Sequence, residues 1–216
     1  MPRRTIAILG GTGRQGRGIA RRLAAAGFPI VVGSRDPARA AATVREWGAD
    51  SIGVASYGDA IAGSDVVILA LPFDAVVETL DAERGRFGAA FVIDVTVPVA
   101  FTSGNATLVH IPEGSAAELV RSHTPPSVGV AAAFKTVPAH ALDEVERPLE
   151  CDEFVCGDSP DARSVATELV EAVRGLRAID VGPLPRARSI EHLTLLAIGI
   201  NRRHKIHDAR FRVVGL

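Results

Sequence analysis

Ile6-Ala7-Ile8-Leu9-Gly10-Gly11-Thr12-Gly13-Arg14-Gln15-Gly16-Arg17-Gly18 is the stretch whose reading decides the fold. Four apolar residues in a row read as a short buried strand, and the alanine-rich run from about Gln15 to Ala26 reads as a helix. Between them, Gly11-x-Gly13-x-x-Gly16 has the dinucleotide-binding spacing. That spacing assigns the tight turn to Gly11, the close approach of a pyrophosphate to Gly13, and helix-on-strand packing to Gly16. The N–H groups at the helix start, around Arg14 and Gln15, then face the phosphates, where the helix dipole favours negative charge.

A second strand, Ile30-Val31-Val32, ends in Gly33-Ser34-Arg35. In a dinucleotide fold this strand end reads the adenosine ribose, and an NAD site places Asp or Glu there. A hydroxyl and a guanidinium stand here instead, with Arg39 four residues further on. That set suits a 2′-phosphate, which a carboxylate would repel, so the cofactor expected is NADP(H) and not NAD(H). The plainer reading makes Arg35 and Arg39 surface arginines; the convergence of glycine loop and strand end argues against it.

Composition limits the alternatives. The chain has 216 residues, a formal net charge of −1 and 47% hydrophobic residues. No global field draws it to nucleic acid, and no run of eighteen apolar residues marks a membrane span. Cys151 and Cys156 match no zinc or redox spacing and read as two buried thiols in a reducing cytoplasm. His204 and His207 lie among arginines and read as a basic surface patch, not a metal site.

Strand and helix patterns alternate along the chain, which predicts an α/β fold with a doubly wound, mostly parallel Rossmann-type sheet. Strands are expected near Ile52–Val54, Asp65–Leu71, Ala90–Asp94, Val128–Phe134, Phe154–Cys156 and Leu176–Val181. Gly114–Ser122 carries a capping box, Ser115 with Glu118, and Arg188–Arg203 reads as a final helix too apolar for one buried stripe. The expected organisation is an NADP-binding domain over residues 1–99 and a smaller C-terminal α/β part over residues 100–216, the division near Val99 being soft. Leu71-Pro72-Phe73 and the loop Val95-Thr96-Val97-Pro98-Val99 follow strand ends on the side of the glycine loop, where ligands of open α/β sheets bind. Lys135 is the one candidate acid near a strand end; Tyr57, the only tyrosine, lies in the cofactor half. This poverty of acids suits hydride exchange between two flat rings, which needs mainly proximity and alignment.

Together these segments resemble the NADPH-dependent coenzyme F-420 (F420) reductases. The likeness extends through Gly114-Ser115-Ala116-Ala117-Glu118, Val155-Cys156-Gly157-Asp158, Asp180-Val181-Gly182-Pro183-Leu184 and Asn201-Arg202-Arg203-His204-Lys205. The resemblance implies hydride exchange between NADP(H) and the deazaflavin coenzyme F-420, and a homodimer. It implies that Thr12, Ser34, Arg35 and Arg39 hold the 2′-phosphate, and that Leu71, Pro72 and Val97 to Val99 border the reacting rings. It departs at Lys135, where the family usually has His. The coenzyme's anionic tail makes Lys135, Arg186, Arg188, Arg202 and Arg203 candidate contacts. Two other readings stand beside this one: an NADPH-dependent reductase of an imine, quinone or ferric chelate, and a non-catalytic NADP(H)-sensing protein.

Overall fold

The computed structural model describes residues 3–49, 51–102 and 105–216. Its first half runs β1 (Ile6–Leu9), α1 (Arg14–Ala25), β2 (Ile30–Ser34), α2 (Pro37–Arg45), β3 (Ile52–Ser56), α3 (Tyr57–Ala62), β4 (Val66–Leu69), α4 (Val76–Ala82) and β5 (Phe91–Asp94). A hairpin follows, β6 (Val99–Thr102) and β7 (Asn105–Leu108). Then come α5 (Ala116–His123), β8 (Val130–Ala132), α6 (Ala139–Asp143), β9 (Cys151–Gly157), α7 (Pro160–Glu171), β10 (Leu176–Pro183) and α8 (Ala187–His204).

Eight strands form one sheet in the order β10-β9-β8-β5-β4-β1-β2-β3. Pairing is parallel from β3 to β8; β9 runs antiparallel to β8, and β10 parallel to β9. The mostly parallel doubly wound sheet expected from the alternation is present. The large sheet draws on both sides of residue 99, with β8, β9 and β10 extending the edge begun by β5, while Val99 itself opens the separate β6–β7 pair.

Alternation within the buried strands explains the two helical layers. Ile6 and Ile8 of β1 and Val66 and Ile68 of β4 pack on one side with Ile19 and Leu23 of α1 and Leu169 of α7. Ala7, Leu9, Val67 and Leu69 pack on the other with Ile61, Leu80, Val120 and Ile190 from α3, α4, α5 and α8. Successive side chains of a strand point to opposite faces, so a strand covered on both sides must be apolar throughout.

Differences from the expected elements have local causes. β8 is confined to Val130–Ala132 because Phe134, fully buried, takes a left-handed φ of 55° that ends the strand. β9 starts at Cys151, earlier than its apolar core suggests, since the polar pair Asp152 and Glu153 is buried within it. The β6–β7 hairpin and α6 were not foreshadowed by any periodic pattern. The serine cap of α5 is present, Glu118 N donating to Ser115 Oγ at 3.2 Å, while Glu118 Oε2 accepts from the Ser115 hydroxyl, at 2.8 Å, in place of the backbone N–H of a full box.

Candidate active site

A cleft of about 620 Å³ opens at the carboxyl ends of β1, β2 and β4. Thr12, Gly13, Arg14, Gln15, Ser34, Arg35, Arg39, Leu71 and Pro72 line it. Nine of the residues singled out from sequence are thus brought to one place. Gly11 and Gly16 are buried beneath the loop, and a Cβ on Gly16 would lie 2.7 Å from the Gly11 Cα. The turn falls one residue earlier than the spacing assigns. Gly10 carries the positive φ, 75°, and a Cβ there would meet the Ala70 carbonyl oxygen at 2.5 Å. Gly13 is the N-cap of α1 and brings no side chain to its first N–H groups, which leaves them for an anionic ligand.

At the outer rim Ser34 Oγ accepts from Asp36 N and donates to the Asp36 carbonyl, both at 3.1 Å, which folds the turn after β2. Among the described residues that line the cleft, the one carboxylate is turned to the helix: Asp36 Oδ1 accepts from Arg39 N at 3.0 Å and caps α2. The exposed side chains of Arg35 and Arg39 remain as the cationic pair. Tyr57, which sequence reasoning set aside, lines the same cleft beside Arg35. Burial raises its phenol above the ordinary value, with Arg35 opposing. Its position directly after β3 was the available signal, because β3 pairs with β2 and ends level with Ser34.

A second pocket of about 300 Å³ shares Gln15, Ala70 and Leu71 with the first. Its other walls are Val95, Thr96 and Val97 after β5, Lys135, Val137, Pro138 and Ala139 after β8, and Thr194 of α8. Val97 and Lys135 therefore sit at the inner end. Pro98 lines neither cavity; it is buried behind the loop, where its carbonyl accepts from Val109 N at 2.7 Å.

The loop after β8 is held from every side. Gln15 Nε2 donates to the Phe134 carbonyl at 2.7 Å, and Thr194 Oγ1 to the Lys135 carbonyl at 2.9 Å. From behind, the fully buried Glu153 carboxylate accepts from Lys135 N at 2.9 Å and Thr136 Oγ1 at 2.8 Å. Burial nevertheless pushes the Glu153 carboxyl up to about 7. The left-handed Phe134 persists within this frame, as strained residues near functional sites do.

Lys135 Nζ does not project into the pocket. It donates to Asp94 Oδ2 at 2.6 Å, to Glu191 Oε1 at 3.2 Å and to the Thr96 carbonyl. Burial alone would lower this ammonium, but Asp94 and Glu191 outweigh it and hold it above the usual lysine range. Glu191 was not foreseen, because a single Glu in an apolar helix reads as a solvated face. Of the candidate tail contacts, Arg188 is engaged by Glu118 at 2.8 Å through both Nε and Nη2, and Arg202 donates to Asn105 Oδ1 at 3.2 Å. Arg186 and Arg203 are exposed. The two cysteines are buried on β9, and burial pushes their thiols up to about 11 at Cys151 and about 12 at Cys156.

Residues 5–98 match the family model described as NADP oxidoreductase, coenzyme F420-dependent. The chain is 42% identical to an F420-dependent NADP reductase of Methanothermobacter thermautotrophicus, over 98% of this chain and 95% of that one. It is 37% identical to the enzyme of the same name from Methanothermobacter marburgensis, over 98% of both chains. Among solved structures, one described as a candidate F420-dependent NADP reductase from an Arthrobacter species superposes with a TM-score of 0.84 and 25% identity, covering 98% of this chain and 99% of that one.

Proposed function

The chain belongs to the coenzyme F420-dependent NADP oxidoreductase family, and from that premise we propose how it transfers hydride between NADP(H) and coenzyme F420. The reading rests on one observation: the adenosine-end cleft and the inner pocket adjoin, with Gln15, Ala70 and Leu71 as walls common to both. Ser34, Arg35, Arg39 and Thr12 take the 2′-phosphate, and the uncapped start of α1, at Gly13, Arg14 and Gln15, takes the pyrophosphate. Gly11 and Gly16 shape that loop from below. Leu71, Pro72 and Val97 border the rings, and Pro98 fixes the loop behind them. When bound, NADPH supplies the hydride and the deazaflavin ring accepts it. The protein's own part is to align two flat faces at about 3–3.5 Å and to keep water from between them. Lys135 acts in this reading through its backbone and stem as pocket wall, its ammonium being committed to Asp94 and Glu191, so water supplies the proton that accompanies reduction.

The outer side of α8 supports a homodimer. Leu196 is 53% exposed and Phe101, on the adjoining β6–β7 hairpin, 71% exposed, an apolar pair that a second copy would cover. Sedimentation at micromolar concentration is expected to give twice the chain mass, and a monomer would remove this part of the reading. The buried unpaired thiols fit a cytoplasmic protein. Among the described residues no helix is long and apolar enough to cross a membrane.

The deciding assay mixes purified protein with F420 and either NADPH or NADH. Bleaching of the deazaflavin absorbance is expected with NADPH and far more slowly with NADH. Absence of bleaching with both nucleotides would overturn the proposal, and tight NADP binding without turnover on any acceptor would point to a sensing protein instead.

A further inference from the structure

Behind the inner pocket lies a buried charge cluster for which the hydride reaction has so far had no use. Asp94 ends β5, Lys135 follows β8 and Glu191 faces inward from α8; they are 0%, 3% and 2% exposed. The three protons of the Lys135 ammonium go to Asp94, Glu191 and the Thr96 carbonyl. Asp94 Oδ1 also accepts from Thr96 N at 2.9 Å and Thr96 Oγ1 at 2.6 Å, and Glu191 Oε1 from Ala116 N, at the start of α5, at 3.0 Å. Two carboxylates face one ammonium, so with both ionised the cluster holds one negative charge in excess; burial raises the Glu191 carboxyl above its usual range and the Lys135 ammonium opposes that rise. The elements packed around it do not cancel that excess. Arg188 on the same helix is paired with Glu118, the Glu153 carboxyl behind the loop adds no positive charge whether protonated or ionised, and the Cys156 thiol is neutral. Thr96 and Lys135, whose atoms make the cluster, are also walls of the inner pocket.

We propose that this anionic excess, with Glu191 as its deciding member, sets the pocket's preference between the two redox states of the nicotinamide. The inference rests on the reading that the nicotinamide occupies the inner pocket. In the reaction, the nicotinamide C–H bond breaks with its electron pair and a C–H bond forms on the acceptor ring. The acceptor nitrogen takes a proton from water, and the nicotinamide becomes a cation. A neutral ring thus turns positive next to a buried negative charge that salt screens poorly. The site therefore binds NADP⁺ more tightly, relative to NADPH, than a neutral pocket would. By linkage, bound NADPH is a stronger hydride donor in this pocket than it would be in the same pocket without that charge. Glu191 is a positioning residue in the electrostatic sense: it touches neither ring and acts through Lys135 and the Thr96 segment.

The test is the ratio of dissociation constants for NADP⁺ and NADPH, measured by calorimetry at pH 8 without acceptor. Glu191→Gln is expected to raise Kd(NADP⁺)/Kd(NADPH) by about ten-fold, with most of the change in NADP⁺. Asp94→Asn removes the same charge from the other carboxylate and is expected to move the ratio the same way, so either variant serves if the other does not fold. The double variant Glu191→Gln, Lys135→Gln restores the net charge of −1 while losing more contacts, and is expected to return the ratio towards wild type. A role confined to holding α8 in place would change both constants together and would not be rescued by the second substitution. Either result would overturn the inference. Failure of the wild-type protein to bind NADPH at all would instead remove the functional reading beneath it.

Discussion

Arg35 and Glu153 show two different ways in which one residue governs this site. Arg35 is exposed at the rim, where its contact within the protein is with the half-buried Tyr57. Losing a charge-assisted bond to a 2′-phosphate costs roughly 1.5–3 kcal/mol of binding. Arg35→Ala is therefore expected to weaken NADPH by that amount and NADH hardly at all; equal losses in a titration would contradict the assignment. Glu153 is the opposite case. Burial moves its carboxyl from 4.5 to about 7 in the folded protein, so the native state prefers the neutral form. The stability this contributes is complete below pH 4.5 and is lost as pH rises through about 7, a difference of roughly 3 kcal/mol. Thermal melts at pH 5.5 and pH 8 should show wild type losing stability with rising pH relative to Glu153→Gln. Identical slopes would mean that Glu153 stays ionised in the native protein throughout.

Single elements were unevenly legible in the sequence. β1 and β4 announced themselves because strands buried on both faces are apolar without interruption, β5 because only its last residue, Asp94, departs from that run, and α1 because its glycine loop fixes its start. α6 gave no signal, since its stability comes from a distant partner. Arg22 of α1, 4% exposed, donates to the carbonyls of Leu142, Ala141, Glu144 and Arg147 at 2.7, 2.9, 2.6 and 3.0 Å. Such a contact spans 120 residues and leaves no local pattern. Arg22→Met leaves buried carbonyls without donors and is expected to cost about 3 kcal/mol in denaturant titrations. Because α6 begins at Ala139, a wall of the inner pocket, the KM for the acceptor should rise as well. The adenosine rim was readable for the same reason as β1: its residues are neighbours in sequence. The inner pocket draws on α1, the ends of β4 and β5, the loop after β8 and α8, with β9 only behind it, so Glu153 and Glu191 could not be found by spacing.

On the scale of the whole molecule, the sheet is completed by its last residues. The first half of β9 has no partner in β8, which pairs only with Cys156 and Gly157. The Phe211 carbonyl instead accepts from Asp152 N at 2.9 Å, and Val213 N donates to Asp152 Oδ2 at 2.6 Å. Arg177 on β10 clamps the arrangement with bonds to both Asp152 oxygens, at 2.8 and 2.7 Å, and to the Val213 carbonyl at 2.7 Å. Deleting residues 209–216 is expected to lower the melting temperature and to open Cys151 to a thiol reagent that leaves the intact protein unmodified. An unchanged labelling rate would show that the tail is not what covers β9. The pairing of β8 with β5 ties residues 100–216 to the sheet begun by residues 5–94, and we propose that the two halves unfold together, in one calorimetric transition.

The two ends of the cleft differ in how much of the architecture rests on them. Ser34, Arg35 and Arg39 project from a turn and a helix start near the surface, whereas Lys135, Thr136 and Glu153 are at most 4% exposed and interlock four separate segments. Nucleotide preference is consequently open to redesign by rim substitutions that leave folding untouched. A change of acceptor demands coordinated replacement across the interior, which makes the inner end the slower of the two to diverge.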